Sequence, residues 1–128
     1  MGDLTANLSR HEFACKCGCG FDTVDYELVI VLQETVDHYK EKYPEKNIWI
    51  KINSGCRCKK HNTSVTGNPE SKSQHLYGKA ADFVINDVHE DEVAEYLIKR
   101  YHDRYGIGRY TGRTHFDSRR AMARWDNR

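Results

Sequence analysis

The residue types and spacing that point most directly to chemistry lie in two short segments, far apart in the chain. Residues 73–82 contain a histidine, His75, and an aspartate, Asp82, and residues 113–117 contain a second histidine, His115. Two imidazoles and one carboxylate on rigid backbone form a three-ligand zinc site that leaves one coordination position for water. The spacing alone is not specific for zinc, because a histidine near a strand is more often an ordinary surface or core residue.

Strands are expected to position these side chains. The predicted elements around them are a strand over residues 79–85 and a hairpin formed by residues 105–110 and 113–117. Because side chains alternate between the two faces of a strand, neighbouring strands could present Asp82 and His115 side by side. The same alternation places Asp117 on the face of His115. Gly78 permits the backbone bend that would bring His75 in from the preceding loop.

Hydrophobic periodicity predicts the remaining elements and the fold class. The predicted elements are amphipathic helices over residues 25–43 and 87–101, a half-buried strand over 47–52, a short helix over 58–65 and a partly helical tail over 119–128. We therefore predict an α+β fold, with two main helices packed on a small, mostly antiparallel sheet. It forms a single domain over residues 1–128, with a Cys-rich, irregular segment (8–20) packed on it.

Composition excludes several classes of function. The chain has 128 residues, 38% of them hydrophobic and 30% charged, and its net charge of +1 gives no field that favours nucleic acid. No apolar run approaches the roughly 20 residues of a membrane span. The first ten residues lack the apolar centre of a secretory signal. We expect a monomer that is made in the cytoplasm and needs another factor, or an unknown export route, to act outside.

Five cysteines are many for this length, and they fall into two clusters. The clusters are Cys15, Cys17 and Cys19, then Cys56 and Cys58. An odd number argues against a purely disulfide framework, and reduced thiols are the default without a secretory signal. Three interpretations stay open: a second, structural metal with His61 nearby, a disulfide between the clusters, or plain buried thiols. Either cross-link would tie the N-terminal segment to the loop after the first strand.

Several motifs occur in order along most of the chain. They are Glu12-Phe13-x-Cys15-x-Cys17-Gly18, Ser54-Gly55-Cys56-Arg57, Ser73-x-His75-x-x-Gly78-x-Ala80-x-Asp82, Gly106-x-Gly108, His115-x-Asp117 and Trp125. Together they resemble the zinc D-alanyl-D-alanine carboxypeptidase family of peptidoglycan metallopeptidases. That family includes vancomycin-resistance dipeptidases, phage peptidoglycan endopeptidases and the zinc-binding signalling domain of hedgehog proteins. Cys56 stands where the family usually has tyrosine.

The resemblance implies a hedgehog-like fold and a role for each site residue. Zinc would be bound by His75, Asp82 and His115, and zinc-activated water would attack a peptide carbonyl. Arg57 would bind the carboxylate of the substrate or stabilise the developing oxyanion. Ser73 would bond to the substrate or to a metal ligand, or would simply cap the loop.

One position departs from the family pattern. Better-known members carry an acidic general base three residues before the last histidine ligand, and this chain has Gly112 there. Asp117 is the candidate base, since it shares a strand face with His115. Its alternative role is to orient a histidine ligand, and a base elsewhere is the third option.

Two functions follow from the resemblance. The first is a peptidase that hydrolyses peptidoglycan stem peptides or cross-bridges, as carboxypeptidase or endopeptidase, on the cell wall after phage-type release. Arg57 and the loop over residues 66–72 would then recognise D-amino acids and a free carboxylate. The second is a non-catalytic zinc module that binds cell wall or a protein partner, which the glycine at position 112 favours. Nucleic-acid binding through the short basic tail is a poor third.

Overall fold

The sheet joins strands from the middle and the end of the chain. The computed structural model describes residues 2–128. The helices are α1 (Arg10–Phe13), α2 (Tyr26–Lys42), α3 (Lys59–Thr66) and α4 (Glu90–Arg100), with a 3-10 helix at Gln74–Tyr77. The strands are β1 (Ile50–Ser54), β2 (Ala80–Ile85), β3 (Gly106–Tyr110), β4 (Arg113–Asp117) and β5 (Ala123–Asp126). Their order is β1-β2-β4-β3-β5, and only the β3–β5 pair is parallel. The predicted α+β fold with a mostly antiparallel sheet is confirmed.

The two long helices pack on one face of this sheet. Leu28, Leu32 and Val36 recur at four-residue spacing along α2 and are buried, as an amphipathic helix requires. Apolar residues at alternate strand positions meet the helices on this face and form the sheet side of the core: Ala81, Phe83, Ile85, Ile107 and Phe116. Because strand side chains alternate, Asp82 and His115 lie on the opposite face, away from α2 and α4.

The N-terminal segment packs against the end of β1. Leu8 and Phe13 are fully buried in the core, and the backbone N–H of Cys56 donates a hydrogen bond to the Phe13 carbonyl at 2.8 Å. The segment is less irregular than predicted, because a capping box of Ser9 and Glu12 starts the short helix α1. The predicted single domain of residues 1–128 stays a prediction, and Met1 lies outside the described residues.

The C-terminal tail departs most from the predicted secondary structure. The predicted partly helical tail (119–128) instead contains the strand β5, which pairs in parallel with β3 and opposes Trp125 to Gly108. The guanidinium of Arg124 anchors it by donating to the carbonyls of Tyr105 and Tyr101, both at 2.6 Å. Tertiary pairing therefore overrides the weak local preference of this short segment.

Two other elements begin three residues later than predicted. The first strand begins at Ile50, three residues after the predicted start, and α4 begins at Glu90 because His89 caps it. Within residues 2–128 there is no helix of sufficient length and apolar character to traverse a lipid bilayer.

Candidate active site

His75, Asp82 and His115 converge on the sheet face opposite the helices. One ligand atom of each lies within 4.8 Å of the other two, and all three residues are buried. Asp82 and His115 are direct register partners in the β2–β4 pair, and His75 comes from the 3-10 helix that precedes β2. Residues 40 positions apart in the chain are thus brought together by one strand pair and one short helix.

Backbone groups fix the position of His75. Ser73 caps the 3-10 helix, and its Oγ accepts a hydrogen bond from the His75 N–H at 3.2 Å. Gly78 ends the helix in a left-handed conformation with φ 66°, which favours glycine. The ring Nδ1 lies 2.6 Å from the Gly55 carbonyl, so it must carry the proton, since a carbonyl only accepts. The other nitrogen, Nε2, faces Asp82 Oδ2 at 3.5 Å.

His115 is held in the same manner by a different acceptor. Its Nε2 lies 2.8 Å from Asp117 Oδ2, and its Nδ1 lies 2.9 Å from Asp82 Oδ1. Asp117 is in turn fixed by Arg119, whose Nε and Nη2 donate to its two oxygens at 2.7 and 2.8 Å. The indole of Trp125 packs on the imidazole with ring centroids 4.9 Å apart.

The charges of this cluster are strongly coupled. Burial would raise the pKa of Asp82, but hydrogen bonds from His115 and His75 outweigh it and hold the pKa well below its usual range. Burial would likewise raise the pKa of Asp117, yet bonds from His115 and Arg119 lower it to about 2. Burial disfavours the imidazolium of His115, and its two carboxylate partners reverse this effect and raise its pKa. Both carboxylates are therefore ionised, and their negative charge favours a positive charge at the imidazole of His115, which lies between them.

The donor set fits a divalent metal ion. Each histidine has its outer nitrogen bonded to an oxygen acceptor, Gly55 O or Asp117 Oδ2, and turns its inner nitrogen toward Asp82. In a neutral imidazole that inner nitrogen carries a lone pair and no proton. It would then face an ionised carboxylate oxygen with no hydrogen between the two atoms, which is an unfavourable contact. Either a second proton or a metal cation must lie there. Outer-nitrogen bonding of this kind is typical of metal-ligating histidines.

The cluster opens into a cleft of about 330 Å³, and Arg57 lines it beside the three converging side chains. The Arg57 guanidinium donates to Ser54 Oγ, Asn62 Oδ1 and Asp82 Oδ2 at 3.2, 3.1 and 3.4 Å. Burial lowers the pKa of Arg57, but a guanidinium stays charged in proteins. Three of its five N–H groups are used in these bonds, which leaves donors available to the cleft.

Residues that sequence analysis did not assign to the site also line the cleft. Arg113 lies over the Tyr110 ring at 4.0 Å, Arg119 lies over Trp125 at 5.5 Å, and the indole N–H of Trp125 donates to Tyr110 Oη at 2.8 Å. Period-two alternation in β4 could have indicated Arg113, because it shares a strand face with His115. No local pattern in the sequence predicts that Arg119 lines the cleft.

Two glycines of β3 make room for these groups. Gly106 and Gly108 oppose Asp117 and His115 in the register. A Cβ on Gly106 would lie 2.3 Å from an Asp117 oxygen, and a Cβ on Gly108 would lie 2.3 Å from the Trp125 ring. The Gly-x-Gly motif thus provides the space that the buried carboxylate and the indole occupy.

The position of Asp117 bears on the identity of a general base. Asp117 is fully buried behind His115 and does not line the cleft. Gly112 lies in the turn of the β3–β4 hairpin, where its N–H donates to Glu90 Oε2 at 2.9 Å. Among residues 2–128, Asp82 is the one carboxylate that lines the cleft.

Four of the five cysteines form a second cluster that could hold a metal. The Sγ atoms of Cys15, Cys17, Cys19 and Cys58 lie within 4.8 Å of one another. Cys56 is buried separately, and its thiol donates to the Phe21 carbonyl at 3.0 Å.

Comparison with known proteins agrees with this geometry. A family model described as Peptidase M15 matches residues 6–117. The chain belongs to the M15 peptidase family. M15 peptidases are zinc-dependent, and the match spans the three converging residues and Asp117. The strand β5 lies beyond the matched part of this M15 chain. No curated protein shows a significant match to it.

Proposed function

We propose that this chain is a zinc-dependent peptidase that hydrolyses peptide bonds in the stem peptides or cross-bridges of peptidoglycan. The observation that carries the proposal is the convergence of His75, Asp82 and His115 at the cleft, with both outer imidazole nitrogens already bonded to acceptors. These three residues would hold the zinc. When bound there, zinc would polarise the scissile carbonyl and lower the pKa of water.

Arg57 would bind and orient the substrate. The guanidinium groups of Arg57, Arg113 and Arg119 line the cleft, and within the described part of the chain only the carboxylates of Asp82 and, behind the lining, Asp117 oppose them. The remaining positive charge favours an anionic ligand. A planar guanidinium can bind a carboxylate through two parallel hydrogen bonds. The free carboxylate of a terminal D-alanine, or the acidic side chain of a stem peptide, suits this surface. Because Arg57 is held by three neighbours, it would not need to reorganise on binding.

The roles of Ser73 and Asp117 are proposed to be positional. Ser73 Oγ holds the backbone of His75 and so determines where that ring lies. Asp117 accepts the outer N–H of His115, which selects the tautomer with its inner nitrogen free for a metal. Its complete burial favours this role over that of a general base, which must reach the attacking water.

A specific observation also favours the second candidate function, a non-catalytic zinc module that binds cell wall or a protein partner. The cleft lacks any described carboxylate besides Asp82, which is itself a candidate ligand. A peptidase of this kind needs a group that accepts a proton from water. A module that only binds would keep the metal cluster and the basic cleft without that group.

Digestion of purified sacculi separates the two functions. The protein is incubated with sacculi with and without chelator, and released fragments are identified by mass spectrometry. A peptidase releases new amine groups and muropeptides, loses this activity with chelator and regains it with added zinc. Sedimentation with sacculi without products would instead support the binding module.

The variant His75→Ala tests the assignment of the site. We expect it to release no fragments, whereas the control His102→Ala, which replaces an exposed histidine after α4, should match the wild type. Full activity of His75→Ala would refute the proposed mechanism. The masses of the fragments also identify the bond that is cleaved.

A further inference from the structure

The four-cysteine cluster lies apart from the cleft, where the N-terminal segment meets the start of α3. Cys15, Cys17 and Cys19 come from the turn after α1, and Cys58 is the residue that caps α3. Alternate residues of the turn converge because the glycines between and after them, Gly18 and Gly20, have φ of 81° and 89°. The turn is closed by a hydrogen bond from the Cys15 N–H to the Phe21 carbonyl at 2.7 Å.

The distances between the sulfurs match a metal site and not a disulfide. Cys15 Sγ lies 3.5 Å from Cys17 Sγ, and Cys17 Sγ lies 3.7 Å from Cys58 Sγ. A disulfide bond is about 2.05 Å long. In a tetrahedral zinc site with Zn–S bonds of about 2.3 Å, neighbouring sulfurs are about 3.8 Å apart. All five cysteines are free thiols in the structure.

Backbone donors are already directed at two of the sulfurs. The Cys58 N–H donates to Cys15 Sγ, and the His61 N–H donates to Cys58 Sγ, both at 3.4 Å. Hydrogen bonds of this kind stabilise the negative charge of thiolate ligands and orient them. The neighbouring candidates are used otherwise, since Cys56 donates its thiol proton to Phe21 and the ring of His61 is not in the cluster.

From this geometry we propose a structural zinc site formed by Cys15, Cys17, Cys19 and Cys58. Four thiolates complete a tetrahedral coordination shell, so the ion has no open position for water or substrate, and its role is structural. Cys58 directly follows Arg57 in the chain, and the bound turn follows α1, whose Phe13 carbonyl accepts from Cys56. The metal therefore fastens the N-terminal segment to the backbone that carries the cleft arginine.

Metal content of purified variants tests this assignment. The wild-type chain, expressed with zinc and washed free of excess metal, should contain two zinc ions per chain. Cys17→Ser and Cys19→Ser should each contain one, and the matched control Cys56→Ser should keep two, because a serine hydroxyl can also donate to Phe21. Equal zinc content in Cys17→Ser and the wild type would overturn the proposal.

A second measurement keeps all five cysteines, so it does not require that a cysteine variant folds. The His75→Ala chain should lose the histidine-bound metal and keep the other one, so X-ray absorption at the zinc edge should show a pure sulfur shell. Nitrogen or oxygen neighbours in that shell would contradict the proposal. Two cysteines that resist alkylation in the unfolded, chelated, unreduced chain would contradict it as well, since they would form a disulfide.

The two sites fail separately in these experiments. If the His75 cluster binds no metal, the wild-type chain keeps one zinc with sulfur ligands. If the cysteine cluster binds none, the wild-type chain keeps one zinc with nitrogen and oxygen ligands, and the proposed peptidase function is unaffected.

Discussion

Replacement of Asp117 by asparagine distinguishes an orienting residue from a general base. Asp117 accepts four hydrogen bonds, from His115 Nε2 at 2.8 Å, from the Arg119 Nε and Nη2 at 2.7 and 2.8 Å, and from the Arg119 N–H at 3.3 Å. Asparagine has nearly the same shape but only one acceptor oxygen. If that oxygen keeps the bonds to His115 and Nη2, the amide NH₂ must face the other two donors of Arg119.

The expected loss follows from these contacts. The bond to His115 changes from charge-assisted to neutral, and such bonds differ in strength by roughly twofold. Loss of a carboxylate that orients a ligating histidine typically lowers metal affinity about 10- to 100-fold. This corresponds to about 1.4–2.8 kcal/mol of binding free energy. We therefore expect the Asp117→Asn variant to bind zinc at the histidine site about 10- to 100-fold more weakly than the wild type.

Zinc affinity and turnover are measured separately. Affinity is obtained by competition with a chelator of known strength, and kcat is measured at saturating zinc. An orienting role predicts that kcat of the loaded variant stays within about tenfold of the wild type, whereas loss of a general base costs about 10²- to 10⁴-fold. The matched control is Asp126→Asn, since Asp126 also pairs with an arginine two residues later but is exposed. Unchanged zinc affinity together with a hundredfold lower kcat would refute the orienting role.

Three further substitutions test the cleft and the fold. A lysine in Arg57→Lys cannot reproduce the planar set of bonds to Ser54, Asn62 and Asp82. Loss of one charged hydrogen bond to the substrate should lower kcat/KM about 10- to 100-fold. An unchanged kcat/KM in steady-state kinetics would count against a substrate-binding role for Arg57. Gly106→Ala would place a methyl group 2.3 Å from an Asp117 oxygen, so it should lower the unfolding free energy by about 1–3 kcal/mol and also reduce zinc content. Urea titration that gives a wild-type midpoint for this variant would show that the carboxylate can move aside. Leu32→Ala removes a fully buried side chain of α2 and should cost about 2–5 kcal/mol in the same titration. Glu41, an exposed residue of the same helix, should stay within about 0.5 kcal/mol of the wild type when changed to alanine, and equal effects of the two substitutions would contradict the assigned core.

The converging residues could be located from sequence because period-two alternation is strict within a paired strand. Within the predicted strands over residues 79–85 and 113–117, Asp82 falls on the face opposite Phe83, where a neighbouring strand can present His115, and the register makes the two residues partners. The position of His75 depended on a glycine-containing bend, which Gly78 supplies. Long amphipathic helices were equally accessible, since their spacing is a local property.

The remaining features depend on contacts between distant segments. β5 is a strand because it pairs with β3 and its Trp125 fills the space above Gly108, and neither fact is encoded within residues 119–128. Tertiary contacts also decide why Cys58 and not Cys56 joins the cysteine cluster. The Cys58 thiol lies beside the thiols of the N-terminal turn, whereas the Cys56 thiol donates to the Phe21 carbonyl. The sequence also could not distinguish the candidate roles of Asp117, because its complete burial and its bonds to Arg119 exist only in the folded chain.

The register pairing of Asp82 with His115 would link the proposed metal binding to the alignment of the central strands. A slip of one residue between β2 and β4 would turn one of these side chains toward α2 and α4, and the two could no longer share an ion. A cation bound between them would thus stabilise only the native alignment of the central strands. A chain that folds without the ion would then be expected to include misaligned, protease-sensitive copies as well as native copies that merely lack the ion.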